Sequence, residues 1–371
     1  MSIRPGELLD LAIEDESHIL IVGPPGAGKT TLVKLALTQA KYPALVVDYL
    51  GNYEAGELAY VDYYGLYPIN PFEWLNIHDF IDAFSTTVKV LYGEGYSVSP
   101  AQELILMDAA DELEDEASVP RIITWLRASL RRYTQLDERN ALKALIRRVE
   151  ALLNNPLYSL VTHPILANWL NGELKAQIGV RLRGLGLYPT VAYTNILLTI
   201  LARHEFKALD WRFIIIDEAQ YYAPRRSDGL HPFEEAVRVA RNFKTLFIAI
   251  TQNPNALSER VLDVFKITVD FSASGNRPRS AKVTLTATEP GLAAKAPVKA
   301  PFDAPILTFT ITANPLELKP RNAVTYTGCV SKCGPPPRLI AKGGLARDLT
   351  TINPCLWNCL TGSPIGFLPQ A

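Results

Sequence analysis

The chain has 371 residues, 48% of them hydrophobic and 20% charged, enough apolar material for one large globular domain with embellishments or for two domains. Its formal net charge of −1 excludes a global electrostatic attraction for nucleic acid, so any DNA contact must come from local basic loops or from a pore lined by several copies. The longest apolar runs (Ile196–Leu201, Phe213–Ile216, Leu246–Ile250) fall far short of the roughly 18 residues of a membrane span, and Met1–Glu14 has no signal-peptide core. A soluble cytoplasmic protein without membrane insertion is expected.

The first readable element is the short apolar run Ile19–Val22, which leads into Gly23-Pro24-Pro25-Gly26-Ala27-Gly28-Lys29-Thr30 and then into a helix-like stretch from Thr31. A G-x-x-x-x-G-K-[ST] loop between a strand and a helix is a phosphate-binding loop. Glycines that take positive φ let successive backbone N–H groups wrap a triphosphate. Lys29 is placed to reach the β and γ phosphates and Thr30 to coordinate Mg²⁺, while the helix N-terminus adds partial positive charge. The expected nucleotide-binding set is therefore Gly23, Pro24, Pro25, Gly26, Ala27, Gly28, Lys29, Thr30 and Thr31, with ATP and Mg²⁺ as ligands.

Next comes a second apolar run, Ala44–Val47, ending in Asp48-Tyr49-Leu50-Gly51-Asn52-Tyr53, and then Ile69-Asn70-Pro71-Phe72. Residues 75 to 170 read as mainly helical. Ser99-Pro100-Ala101-Gln102 has the form of a capped helix start, and Leu142, Leu145, Ile146, Val149, Leu152 and Leu153 form an apolar stripe. Arg127, Arg131 and Arg132 on one helix, and Arg139, Lys143 and Arg147 on the next, make a basic face that either touches phosphates or is simply solvated. Gln177–Leu182 and a helix near Val191–Arg203 supply one more strand–helix unit.

Phe213-Ile214-Ile215-Ile216-Asp217-Glu218 is a buried-strand run ending in two acids, the form of a Walker B strand. Asp217 would hold Mg²⁺ and Glu218 would act as general base toward the attacking water. Glu234–Lys244 has helical spacing and carries Arg238 and Arg241. Either arginine is a candidate to complete a neighbouring subunit's site, the alternative being a solvated helix charge. A last buried run, Thr245–Ile250, ends in Thr251-Gln252-Asn253-Pro254, where Gln252 would sense the γ phosphate or orient water, or else bond a loop. The five histidines share no ligand spacing and read as structural.

Glu289–Pro305 is rich in Pro, Ala and Lys and reads as an extended arm. Beyond it stand Cys329, Cys333, Cys355 and Cys359, a pair of C-x₃-C spacings that admit a structural zinc site, disulfides or free thiols.

The order of these segments resembles the HerA/FtsK superfamily of P-loop DNA motors, which includes conjugation and viral genome-packaging ATPases. The resemblance covers roughly residues 15 to 272. It rests on the phosphate loop, the strand ending in Asp48 with its Gly51 and aromatic Tyr53, the Asn70-Pro71 element, Asp217-Glu218-Ala219-Gln220 with Ala223-Pro224, and the stretch from Arg238 to Gln252. In that alignment Arg241 falls on the family's arginine-finger position. Lys29 and Asp217 lie 188 positions apart (217 − 29), an interval that demands an inserted subdomain.

The resemblance implies an α/β fold: a RecA-like P-loop core with a mainly parallel sheet, interrupted by a helical insertion and followed by an arm and a cysteine-containing tail. The expected division is 1–74 and 171–274 for the core, 75–170 for the insertion and 275–371 for the arm and tail. It also implies a ring-forming, typically hexameric ATPase that translocates double-stranded DNA. An ATPase serving protein secretion or filament assembly, or a nucleotide-gated scaffold, is the alternative. The chain departs from HerA itself in having no room for a β-barrel ahead of Gly23, and from FtsK-type pumps in showing neither membrane helices nor a winged helix.

Overall fold

A computed structural model describes residues 2–55, 58–204, 210–225, 231–272, 280–286, 306–320 and 324–325. In chain order the elements are β1 (Ser2–Ile3), α1 (Pro5–Glu14), β2 (Ile19–Val22), α2 (Lys29–Gln39), β3 (Ala44–Asp48), β4 (Glu54–Ala55), β5 (Leu58–Ala59) and β6 (Tyr63–Gly65). The helices α3 (Ile77–Tyr92), α4 (Pro100–Leu113), α5 (Val119–Ser129), α6 (Leu136–Leu153) and α7 (Pro164–Leu170) follow. The chain then returns through β7 (Gln177–Arg181), α8 (Leu187–Arg203), β8 (Arg212–Ile216), α9 (Pro232–Ala240), β9 (Thr245–Thr251), α10 (Glu259–Leu262) and β10 (Ile267–Asp270), with β11 (Ser280–Thr286), β12 (Ile306–Thr312) and β13 (Val324–Thr325) beyond.

Eleven strands form one sheet in the order β1-β12-β11-β10-β2-β9-β8-β3-β7-β6-β13. From β10 to β13 every neighbouring pair is parallel, while β11 pairs antiparallel with both β10 and β12. The parallel centre is dictated by the sequence of its strands. β3, β8 and β9 are runs of Val, Ile, Leu and Phe buried along their whole length, which a sheet covered on both faces requires.

Alternate strand residues feed two separate cores. Ile19, Ile21, Val46, Phe213, Ile215, Ile248 and Ile250 pack under α1 and α2 on one face. Leu20, Val22, Leu45, Val47, Ile214, Ile216 and Phe247 pack on the other face under α8, α9 and the helices of 77–170. The result is a three-layer α/β/α architecture, with the inserted helices sharing the sheet's own core rather than building a detached one.

Local signals in the insertion have visible physical roles. Ser99 accepts from the Gln102 backbone while the Gln102 side chain accepts from the Ser99 N–H at 3.1 Å, a capping box that starts α4. Leu142, Leu145, Val149, Leu152 and Leu153 are buried and Ile146 partly so. Asn70 closes the region: its Nδ2 donates to the carbonyls of Ala117 and Leu160 at 3.1 and 3.0 Å, tying distant parts of the insertion to its entry. Arg203 at the end of α8 pairs with Asp79 and Asp82 of α3 and with Glu235 of α9, so one guanidinium links three helices.

The segment after 274, read from sequence as arm and tail, contributes β11 and β12 to the sheet, and β12 in turn pairs with β1. The Pro-Ala-Lys stretch 289–305 and the four cysteines, Cys329, Cys333, Cys355 and Cys359, lie outside the described residues. Among the described residues no helix is long and apolar enough to cross a membrane, and no group of His, Cys, Asp or Glu has the composition of a multi-ligand metal centre.

Candidate active site

In a parallel sheet the carboxyl ends of the strands share one edge, and the loops there can converge on a ligand. Here β2, β9 and β8 are consecutive in the sheet, so the phosphate loop, the Gln252 loop and the acidic pair Asp217–Glu218 emerge side by side.

The phosphate loop has the backbone that its glycines allow. Gly23, Gly26 and Gly28 have φ of 150°, 74° and 107°. A Cβ on Gly23 would lie 2.7 Å from Phe271 Cβ at the end of β10, so a side chain is excluded by packing as well as by backbone. A Cβ on Gly26 would meet nothing within 4 Å, which leaves this face of the loop open to an incoming group. Pro24, Pro25 and Gly26 are exposed, whereas Ala27, Gly28, Thr30 and Thr31 are half-buried. Gly28 caps α2 in the left-handed region, directing the first N–H groups of the helix toward the loop. Lys29 is only 8% exposed, and its Nζ donates to the carbonyls of Gly23 and Pro24 at 2.7 and 2.9 Å. Burial pulls the ammonium below its ordinary range, opposed by the charges of Glu218 and Asp217.

Asp217 is nearly fully buried, and its carboxyl is pushed up to about 6 by burial first and then by the nearby charges of Glu218 and Asp48. The like charges of Glu218 and Asp48 thus add to the burial cost at Asp217, while the Lys29 ammonium nearby opposes them. Asp217 Oδ1 accepts from the Glu218 N–H at 3.0 Å, and Oδ2 from Asn52 Nδ2 at 3.4 Å. Glu218 is held in the left-handed region, with φ 55° and ψ 47°, uncommon for a residue with a side chain. Its Oε1 accepts from Gln252 Nε2 at 2.7 Å and its Oε2 from Gln220 Nε2 at 2.5 Å.

Two polar residues at this edge, Asn52 and Gln220, were not singled out as site residues by sequence, although both lie within the segments that carried the family resemblance. Asn52 reaches Asp217 because Asp48, fully buried at the end of β3, folds the loop behind it. Asp48 Oδ1 accepts from the N–H groups of Gly51 and Asn52 at 2.8 and 2.9 Å; Oδ2 accepts from the Tyr53 N–H at 2.9 Å and from the Tyr64 hydroxyl at 2.8 Å. All its acceptor capacity is spent inside the protein, so Asp48 is an architectural carboxylate rather than an exposed ligand.

The two arginines differ. Arg238 pairs with the buried Glu234 of its own helix at 2.8 Å. Arg241 follows α9 and is exposed. It stands before the amino end of β9, whereas the nucleotide loop lies at the carboxyl end, about 20 Å away along seven strand residues. Consistent with that placement, its charge is the second cause, after burial, that lowers His18, just ahead of β2, to about 3. Arg241 is therefore remote from the phosphate loop of its own chain. His18 itself accepts the Phe247 N–H, and His163 the Ile165 N–H, as structural histidines. In the basic face of the insertion, Arg127 pairs with Glu150 and Arg132 with Glu112, while Arg131, Arg139, Lys143 and Arg147 are exposed.

No family model matches the sequence, and no curated protein matches it significantly. The fold, however, is similar to solved structures of the bacterial plasmid coupling protein TrwB. The structure in complex with ADP and Mg²⁺ aligns with TM-score 0.56 at 14% identity, covering 83% of this chain and 87% of that one. The complex with the non-hydrolysable ATP analogue ADPNP gives 0.56 at 13%, covering 82% and 86%. An unbound form gives 0.52 at 14%, covering 82% and 80%. Identity this low speaks for the fold alone, a RecA-like P-loop NTPase core with a mostly parallel sheet.

Proposed function

We propose that the chain is an ATP-hydrolysing motor that assembles into a ring, hexameric as in the family it resembles, and moves double-stranded DNA. The observation that carries the hydrolytic part is the convergence, on three adjacent strands, of the Lys29 loop, the buried Asp217 and a Glu218 whose carboxylate is held by two amides. A scaffold that merely binds nucleotide needs no such positioned base. The DNA-moving part is supported by the order of motifs and by the likeness to a plasmid coupling protein.

In this reading the N–H groups of residues 23–30 and the Lys29 ammonium hold the phosphates, and the Thr30 hydroxyl and Asp217 carboxylate hold magnesium. Magnesium, when bound, supplies positive charge to the phosphate oxygens. Glu218 accepts a proton from the attacking water, and Gln252 reads the γ phosphate from the tip of β9. Arg241 enters the site of a neighbouring subunit, the one way an arginine at the far edge of the sheet can reach a phosphate loop.

Steady-state ATP hydrolysis by the purified protein, with and without long double-stranded DNA and with Lys29→Ala as control, tests the reading. DNA-stimulated turnover in a ring-sized assembly is expected. Hydrolysis indifferent to DNA would replace DNA with a protein client, and no hydrolysis would remove the motor.

A further inference from the structure

We infer that Gln220 is a positioning residue for hydrolysis, acting with Thr251 as a relay that aims the carboxylate of Glu218; this rests on Glu218 being the general base. The direction of the relay follows from what each group can donate. A carboxylate offers only acceptors, so the atom of Gln220 that meets Glu218 Oε2 at 2.5 Å is its amide nitrogen. The amide oxygen then faces Thr251 Oγ1 at 2.8 Å, and the Thr251 hydroxyl must donate to it. The hydrogen bonds run in one sense, from Thr251 to Gln220 to Glu218.

Both carboxylate oxygens are thereby tied to the carboxyl end of β9, one directly by Gln252 and one through Gln220 by Thr251. Thr251 is fully buried and pairs in register with Val22, the residue before Gly23 of the phosphate loop. Glu218 is thus referenced to the strand flanking the phosphates. Its left-handed backbone gives it a sharp turn off β8, and without the second amide one carboxylate oxygen loses its donor and the side chain gains a free rotor.

The experiment measures ATP turnover and nucleotide affinity in the full chain for Gln220→Met, Thr251→Val, Thr251→Ser, Glu218→Gln and the combinations. Gln220→Met keeps size and removes both hydrogen bonds. It is expected to lower kcat by about 10- to 100-fold, the scale of one hydrogen bond to a charged group, with nucleotide affinity unchanged. Thr251→Val should act in the same direction, with Thr251→Ser recovering turnover relative to it. The Gln220→Met/Thr251→Val pair should lose less than the two single losses combined, because both break one chain, although Thr251 Oγ1 also accepts the Asn253 N–H at 3.2 Å, a contact that Thr251→Ser keeps. Placed on Glu218→Gln, Gln220→Met should change nothing further in single-turnover measurements.

Wild-type kcat in Gln220→Met overturns the inference, as does a full additional loss on the Glu218→Gln background or a drop in affinity matching the drop in kcat. If Glu218→Gln itself leaves hydrolysis intact, the general-base reading and the relay fall together. A normal loss in Glu218→Gln beside an unaffected Gln220→Met removes the relay alone.

Discussion

Asp217 carries an electrostatic cost at the site. In the unfolded chain its carboxyl titrates near 4, whereas burial and the charges of Glu218 and Asp48 hold it at about 6 in the fold. Between those values the folded state binds more protons, so this residue makes the protein more stable as pH falls through the window. Its penalty is fully present above about 6. Asp217→Asn is therefore expected to stabilise the nucleotide-free, chelator-treated protein by on the order of 2 kcal/mol near neutral pH and by much less near pH 4, read by urea unfolding at the two pH values. The same variant should lose magnesium-dependent nucleotide binding. Glu218→Gln is expected to keep nucleotide and lose about 10²-fold or more in turnover, measured by binding and hydrolysis on one preparation. Lys29 and the acids could be identified from the chain because their motifs are contiguous. Gln220 could not be assigned a role that way, since its partners, Glu218 and Thr251, stand on different strands.

At the scale of elements, the strand-end loops decide whether the chemistry is aligned. Asp48 satisfies four donors at the end of β3 and so places Asn52 against Asp217. Asp48→Ala would orphan those donors, of which the Tyr53 N–H and the Tyr64 hydroxyl are buried. A loss of about 3 kcal/mol or more in unfolding free energy is expected, together with impaired hydrolysis. Gly23→Ala meets both a positive φ and Phe271, whose N–H donates to the Val22 carbonyl at 3.0 Å. It should cost about 1–3 kcal/mol and abolish nucleotide binding, checked by thermal unfolding and nucleotide titration. The elements themselves were largely legible: continuous Ile, Val and Phe runs mark strands buried on both faces, and the Ser99 box marks a helix start. β11 and β12 were missed because their Thr-rich alternation sits beside a Pro-Ala-Lys stretch, and their pairing with β10 and β1 is long-range.

For the whole molecule, the separation of Arg241 from its own phosphate loop makes a specific demand. Arg241→Ala and Glu218→Gln should each be inactive alone, yet mixing the two is expected to restore part of the turnover. An interface between an Arg241→Ala subunit's site and a Glu218→Gln subunit's arginine is complete. Absence of recovery in mixed assemblies, with both variants shown to co-assemble by size, would remove Arg241 from the neighbouring site. Arg238 makes no such demand, because it neutralises the buried Glu234 of its own helix.

The sequence by itself determined the α/β class, the strand, glycine loop and helix around Lys29, the strand that ends before Asp217 and Glu218, and the run of helices between Ile77 and Leu170, because each is written in local spacing and hydrophobic period. Tertiary structure alone decided the rest. Strand order puts β9 between β2 and β8 and so sets Gln252 beside the acids. The Asp48 turn aims Asn52, and the left-handed Glu218 backbone allows two amides to share one carboxylate. The parallel direction of β9 carries Arg241 to the edge of the sheet opposite the phosphate loop of its own chain. These are contacts between residues distant in the chain, and their geometry exists only after the sheet has closed around its two cores.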